Sequence, residues 1–330
     1  MMLPEERAGI ARAAQADWLK TAIRTRLRCI ARLRELIARE GMALAQAAGK
    51  PRNRPVAETL TAEVIPLAAA CAFLEKNAAR ILRPRRLGSN GRPVWLSGVC
   101  SEIRREPFGV VLIVGPANYP LFLPGVQALQ SLVAGNAVLL KPGHDGAPAA
   151  AALARLAKEA GLPEGLLQVL PEPSEEVYSA LESGVDFIVF TGSSEAGHQV
   201  LAAAANRLVP AIVELSGEDP FLVRADANGA LAARALRFGR SLNGGDSCIA
   251  PRRVYAVGNQ ASALRADCDG CAVLPVENDE AALHAAGSSA YGLGASIISG
   301  DEQAARALAG RVNAGVVVIN DCIMPTADPA

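Results

Sequence analysis

No charged residue occurs between Pro107 and Leu140, and this limits what the chain can become. A stretch so free of charge either crosses a bilayer or lies in a protein core. It carries Pro116, Pro120 and Pro124 together with the amides of Asn118, Gln127 and Gln130. A bilayer helix would hold all of these at membrane depth, at high cost. The stretch reads instead as a buried strand over Val110–Val114, a loop, a short helix and a second strand over Ala137–Leu140. Strands apolar at every position are those buried on both faces, as in parallel sheets.

The same rhythm continues. A helix is expected over 147–160, stopped by Gly161-Leu162-Pro163, then a strand at Leu166–Leu170 and a helix over 174–183. Strands at Asp186–Phe190 and Ala211–Leu215 flank a helix over 194–206. A second set follows: strands at 221–223, 253–257, 273–276, 295–298 and 316–319, with helices over 228–242, 278–287 and 301–313. Alternation at this length means βαβ units and a mostly parallel sheet. Ligands of such sheets bind at the carboxyl ends of the strands, which directs attention to the loops at 115–120, 141–146 and 191–193. Ahead of these lies a helical region. One or two amphipathic helices are expected from Glu5 to about Ala48, broken near Gly41, and another runs to about Arg80 after the loop Gly49–Pro55. The basic segment Arg80–Arg86 reads as a solvated linker. Pro93–Arg105 reads as a hairpin, with Val94-Trp95-Leu96 turning at Gly98 into Val99–Ile103.

At 330 residues the chain is long enough for about two domains. Lys plus Arg and Asp plus Glu both number 33, and aromatics are 4%. That balance excludes a dedicated nucleic-acid binder, which needs excess positive charge and stacking surfaces. The cysteines number seven, an odd count without a regular framework, and the first residues contain no apolar signal segment. Both point to a reducing cytoplasmic setting.

Several residues offer chemistry, each with an ordinary alternative. Thr191-Gly192-Ser193, leading towards Gly197, is a tight turn from strand to helix. It is either a phosphate cradle built on free helix amides or a plain βα turn. Cys248, after Asn243-Gly244-Gly245-Asp246-Ser247, is either a thiol presented on a polar turn or a small buried hydrophobe. As a nucleophile it needs help to ionise. Glu214, at the end of Ala211-Ile212-Val213, is either a partly buried carboxylate with a raised pKa, suited to activating water, or a solvated strand end. Asn118 is an oxyanion donor or a turn-closing amide. Cys268 and Cys271 lack a second ligand pair, so no metal site is expected.

Taken together, these segments resemble the aldehyde dehydrogenase superfamily. The resemblance rests on Glu106-Pro107-Phe108-Gly109 through Asn118-Tyr119-Pro120, Ala134-Gly135-Asn136 through Lys141-Pro142, Phe190-Thr191-Gly192-Ser193 to Gly197, and Glu214-Leu215-Ser216-Gly217. Asn243 to Cys248 with Ala250-Pro251-Arg252-Arg253, Tyr291-Gly292-Leu293-Gly294 and Gly315 to Asn320 complete it. It implies an α/β fold with a Rossmann-type cofactor domain over 1–214 and a smaller, shortened catalytic domain over 215–330. The hairpin at 93–106 is similar to the family's oligomerisation element.

The resemblance also implies roles. Cys248 attacks the aldehyde carbon, Asn118 and the Cys248 N–H hold the oxyanion, hydride leaves to the nicotinamide, and Glu214 activates the water that releases the acid. Lys141 bonds the adenosine ribose and Ser193 the pyrophosphate, with Gly192, Gly197, Pro116 and His144 lining the cofactor, NAD or NADP. Lys141-Pro142-Gly143-His144 stands where the family has a carboxylate after the lysine, so a 2′-phosphate is tolerated. Asp246 replaces a glutamine two residues before the nucleophile. Gly258–Ala272 replaces a longer insert. The chain stops at Pro329-Ala330 before a terminal strand, so a weakened homo-oligomer is expected. A catalytically impaired nucleotide-binding homologue and a cofactor-independent thiol esterase are the competing readings.

Overall fold

The apolar, β-branched runs become the centres of two parallel sheets in the computed structural model, which describes residues 4–88, 90–265 and 272–323. An antiparallel pair, β1 (Arg85–Leu87) and β2 (Ser101–Ile103), precedes the first sheet. That sheet contains β3 (Val110–Val114), β4 (Ala137–Lys141), β5 (Leu167–Val169), β6 (Phe187–Thr191) and β7 (Ala211–Glu214), in the order β5-β4-β3-β6-β7. β3 pairs in parallel with β4 and β6, and β4 with β5. The second sheet holds β8 (Asp219–Val223), β9 (Pro251–Val257), β10 (Val273–Val276), β11 (Gly294–Ile298) and β12 (Val316–Ile319), in the order β10-β9-β8-β11-β12. Its pairings are all parallel. In each sheet the first strand is central and the order reverses beside it, as in doubly wound α/β folds.

Burial follows the sequence pattern. Every residue of β3 and β4 is buried. The chain runs outward through β4 to β5 and then returns to β6, so right-handed crossovers place the intervening helices on both faces. Helices Phe122–Ala134 and Ala147–Glu159 pack on β3, β4 and β5 on the outward run; Glu175–Glu182 packs on β3 and β4 on the return. In the second sheet, alternation along β8 sends Phe221 and Val223 to one core, with Leu236, Val254 and Ile298. Leu222 goes to the other, with Tyr255, Ile297 and Leu308.

The N-terminal region differs from expectation. It forms three helices, Pro4–Leu19, Ile23–Arg39 and Gly41–Gly49, with an extra break at Lys20–Ala22. That break lets two helices serve one end of Phe122–Ala134. Trp18 Nε1 donates to the Leu132 carbonyl at 2.7 Å, Gln15 Nε2 to Gly135 at 2.9 Å, and Arg26 Nη1 to Val133 at 3.2 Å. Carbonyls at a helix end need such partners, and hydrophobic spacing carries no trace of them.

The hairpin is also a correction. Val94–Leu96 is a single 3₁₀ turn, not a strand, and β2 pairs instead with β1. Pro93 supplies no N–H, and the turn has no core to face, leaving Val94 and Trp95 exposed at 88% and 80%. The partner strand comes from the basic segment taken for a linker.

The run Val56–Leu82 is long and apolar enough by composition to cross a bilayer. In the structure Leu67, Ala70, Cys71, Leu74 and Ala78 are buried, and its later part packs on Ile23–Arg39 and Phe122–Ala134. It widens to a π turn at Leu60–Val64, just before Pro66. A proline inside a helix cannot donate to the preceding turn, and the turn adjusts. The adjustment places Glu63 in the core.

Two compact units result: Met1–Thr191 with Glu195–Val213, and Gly192–Ser194 with Glu214–Ala330.

Candidate active site

In the first unit, the charge-free loop after β3 is held by side chains distant in sequence. Arg52 Nη1 donates to the Ala117 carbonyl at 2.8 Å and Arg54 Nη2 to the Asn118 carbonyl at 2.6 Å. Arg54 also lies 5.6 Å over the Tyr119 ring. Behind it sits Glu63, fully buried, bonded to Arg54 Nη1 at 2.5 Å. The other Glu63 oxygen accepts the N–H groups of Leu121 and Phe122 at 2.7 and 3.1 Å, at the start of helix Phe122–Ala134. Burial pushes the Glu63 carboxyl up, and these two N–H groups and Arg54 hold it down. Asn118 Oδ1 accepts the Tyr119 N–H at 3.0 Å, which marks Nδ2 as the donor end of the amide. Sequence reading passed over Arg54 and Glu63. The available signal was Glu63 itself, the lone charge between Leu60 and Leu74.

At the end of β4, Lys141 is buried, and burial lowers its pKa while Glu172 and Glu175 oppose that shift. Among the described residues none accepts a hydrogen bond from its ammonium. The Gly115 N–H donates to the Lys141 carbonyl at 2.9 Å, and a Cβ on Gly143 would overlap the Pro116 carbonyl. The loops after β3 and β4 are therefore packed backbone to backbone. His144 is exposed, with Nε2 3.5 Å from Asp145 Oδ2. His144, Asp145 and Glu172 bring ligand-type atoms within 4.8 Å of one another. The Glu172 oxygens already accept the N–H groups of Asp145 and Ala147, at 3.1 and 2.8 Å.

At the end of β6, Gln127 Nε2 bonds Thr191 Oγ1 at 3.0 Å. Ser193 is exposed immediately before the helix Ser194–Ala205, within which Gly197 is buried.

In the second unit the cysteine turn is dictated by its residues. Asn243, Gly244 and Gly245 have φ of 56, 62 and 78°, a left-handed run that only glycine and asparagine adopt readily. The Asn243 carbonyl accepts the Asp246 N–H at 3.0 Å, and its Nδ2 donates to the Asp246 carbonyl at 3.0 Å. Cys248 follows, partly exposed. Burial raises its thiol pKa most, and the negative charge of Asp219 adds to this. The N–H groups of Cys248 and Ile249 oppose the rise, and Glu214 contributes a smaller upward push. Glu214 and Cys248 thus act on each other electrostatically. Of the two readings of Glu214, the solvated strand end is the one found: it is exposed, and its strand β7 lies at the sheet edge. Its carbonyl accepts the Gly192 N–H at 3.1 Å. Asp219, unnoticed in the sequence, is buried, and burial pushes its carboxyl up to about 6. Cys268 and Cys271, and the end of the chain at Pro329-Ala330, lie outside the described residues.

The family model described as "Aldehyde dehydrogenase family" matches residues 5–268 and 271–329. A putative succinate-semialdehyde dehydrogenase [NADP(+)] 2 of Mycobacterium bovis is 34% identical over 74% of this chain and 46% of its own length. The 4,4'-diapolycopene aldehyde oxidase of a Methylomonas species is 34% identical over 60% of this chain and 37% of its own. The chain thus spans under half the length of the curated relatives it matches. In fold it is similar to the NADP-dependent glyceraldehyde-3-phosphate dehydrogenase of Bacillus halodurans C-125, solved with NADP. That match has a TM-score of 0.87 at 22% identity, covering 97% of this chain and 83% of the other. The two switch-point sheets, the cysteine turn and the family match over nearly the whole chain agree: the chain belongs to the aldehyde dehydrogenase family.

Proposed function

We propose that the protein oxidises an aldehyde to a carboxylic acid with NAD or NADP, through a thiohemiacetal and then a thioester on Cys248. One observation carries this reading. The left-handed turn at Asn243–Gly245 leads to a partly exposed cysteine, whose charged form the backbone N–H groups of Cys248 and Ile249 favour.

The residues fit a dinucleotide. A buried ammonium without an acceptor among the described residues, Lys141, suits the oxygens of a ribose, and the amides at the start of Ser194–Ala205 suit a diphosphate. Ser193, Gly192, Gly197, Pro116 and His144 are the remaining proposed contacts. A bound nicotinamide dinucleotide supplies the hydride acceptor.

The chain's own residues do the rest. The Cys248 thiolate adds to the carbonyl carbon, and its N–H, which favours negative charge on sulfur beforehand, then serves the new oxyanion. Asn118 Nδ2 is the second donor. Asn118→Ala therefore lowers kcat by about 10²–10³-fold, the usual worth of one such donor, in steady-state assays of NAD(P)H formation. Glu214 takes the proton from the water that cleaves the thioester. Glu214→Gln then gives one equivalent of NAD(P)H per chain in a rapid phase and little turnover after it. Stopped-flow absorbance reads this directly, and an unchanged steady state would contradict the role.

A homologue that binds nucleotide without turnover is the second reading, favoured by the upward shift of the Cys248 thiol. Calorimetric binding of NADP with no product from an aldehyde panel is its signature. The exposed Val94-Trp95 turn is the surface proposed for a homo-oligomer, and a reducing cytoplasm is the compartment proposed.

A further inference from the structure

Asp219 is a deeply buried carboxylate beside the backbone of Cys248, and none of the proposed catalytic steps uses it. It is 5% exposed at the start of β8. One of its oxygens accepts the Gly294 N–H at 3.1 Å. A Cβ on Gly217 would lie 2.6 Å from Asp219 Oδ1 and 2.6 Å from the Cys248 carbonyl, and a Cβ on Gly294 would overlap Oδ2. The carboxylate is therefore wedged between two glycines, one of which also abuts the nucleophile's own backbone. Glycine at 217 and 294 is what makes room for it.

Such a group is fixed in place beside the backbone of Cys248. Among the described residues, Arg253 and Arg252 from β9 act on Asp219, and Glu214 acts on Cys248. Asp321 and Asp219 act on Cys322, a buried thiol pushed up to about 11 chiefly by burial. Neither arginine pairs with Asp219. Arg253 instead donates to the carbonyls of Glu218 and Ala286, at 2.9 and 3.1 Å, and Arg252 to that of Gly245 at 2.9 Å. The arginines thus act on Asp219 through charge, without a hydrogen bond to it.

We propose that Asp219 is a positioning residue that governs the ionisation of Cys248, its fixed carboxylate keeping the resting thiol protonated. This rests on Cys248 being the nucleophile, but it concerns the thiol alone and is measurable without aldehyde or nucleotide. When Asp219 is neutral the sulfur ionises more readily, and when it is charged the sulfur ionises less.

The test is the rate of iodoacetamide alkylation at Cys248, followed site by site by peptide mass spectrometry from pH 5 to 10. The other cysteines are thereby excluded. In the wild-type chain the logarithm of the rate rises with pH, flattens around pH 6 as Asp219 ionises, then rises again to the thiol's own midpoint. Asp219→Asn keeps the volume and an acceptor for the Gly294 N–H. It should remove the flattening and lower the midpoint by about one unit, as loss of a nearby like charge does. Alkylation at neutral pH then rises several-fold. A purely architectural role would leave the midpoint in place. One ionisation in the wild type, with an unchanged midpoint in Asp219→Asn, overturns the proposal even if aldehyde oxidation is established. Should the variant fail to fold, the two-step profile of the wild-type chain still decides.

Discussion

Alanine at position 248 is expected to abolish aldehyde-dependent NAD(P)H formation, with a loss on the order of 10⁴-fold or more. Removing a covalent nucleophile eliminates a path rather than weakening one contact, and such losses are far larger than those from a positioning group. The fold should be untouched. Cys248 follows a turn whose geometry is set by Asn243, Gly244 and Gly245 and is only partly buried, so removing one sulfur atom costs little packing. Of the proposed nucleotide contacts, Lys141, Pro116 and His144 belong to the first unit and Gly192 and Ser193 to the second, and none is Cys248. Calorimetry should therefore show NADP binding to Cys248→Ala with an affinity within a few-fold of the wild type. Activity above a few per cent in that variant would mean that another group carries the chemistry.

The second large effect concerns stability. Glu63→Ala should cost about 3–5 kcal/mol, because it leaves a partner charge buried and unpaired. The charge is Arg54, whose side chain is 4% exposed. The same change strips the Leu121 and Phe122 N–H groups of their acceptor, each orphaned donor costing about 1–3 kcal/mol when it stays dry. These costs overlap, since water entering the vacated space would serve all three groups. Chemical denaturation monitored by circular dichroism measures the loss. Arg54→Met combined with Glu63→Leu should recover most of it, since a well-packed apolar pair replaces a buried ion pair at little net cost. A Glu63→Ala variant within 1 kcal/mol of the wild type would contradict the burial described here. Because Arg54 also bonds the Asn118 carbonyl, the doubly substituted chain should fold well and still lose kcat.

What was legible in the sequence was what depends on local pattern. Val110–Val114 and Ala137–Leu140 read as doubly buried strands because nothing polar interrupts them, and both proved central in the first sheet. A polar turn before Cys248 was legible in Asn243-Gly244-Gly245, and its left-handed run came from the structure. The features that escaped are those in which a side chain serves backbone far along the chain. Glu63 caps a helix 58 and 59 residues later, and Asp219 holds Gly294 at a separation of 75. Nothing in the spacing around either residue names its partner. The hairpin went wrong for a related reason: β-propensity at Val94-Trp95-Leu96 suggested a strand, whereas pairing needs a neighbour, and the available neighbour for Ser101–Ile103 was Arg85–Leu87. The three apolar residues before Glu214 left open whether it is partly buried or a solvated strand end. It is exposed because β7 is an edge strand, a property of strand order that a single segment does not carry.

The most direct test is to catch the acyl group. The chain is mixed with NADP and a slowly hydrolysed aromatic aldehyde, quenched in acid within the first turnover, digested and examined by mass spectrometry. An acyl mass is expected on the peptide containing Cys248, in amount equal to the NADPH formed, and longer-lived in Glu214→Gln. Reduced nucleotide appearing with Cys248 unmodified, or with the acyl group on another residue, would contradict it.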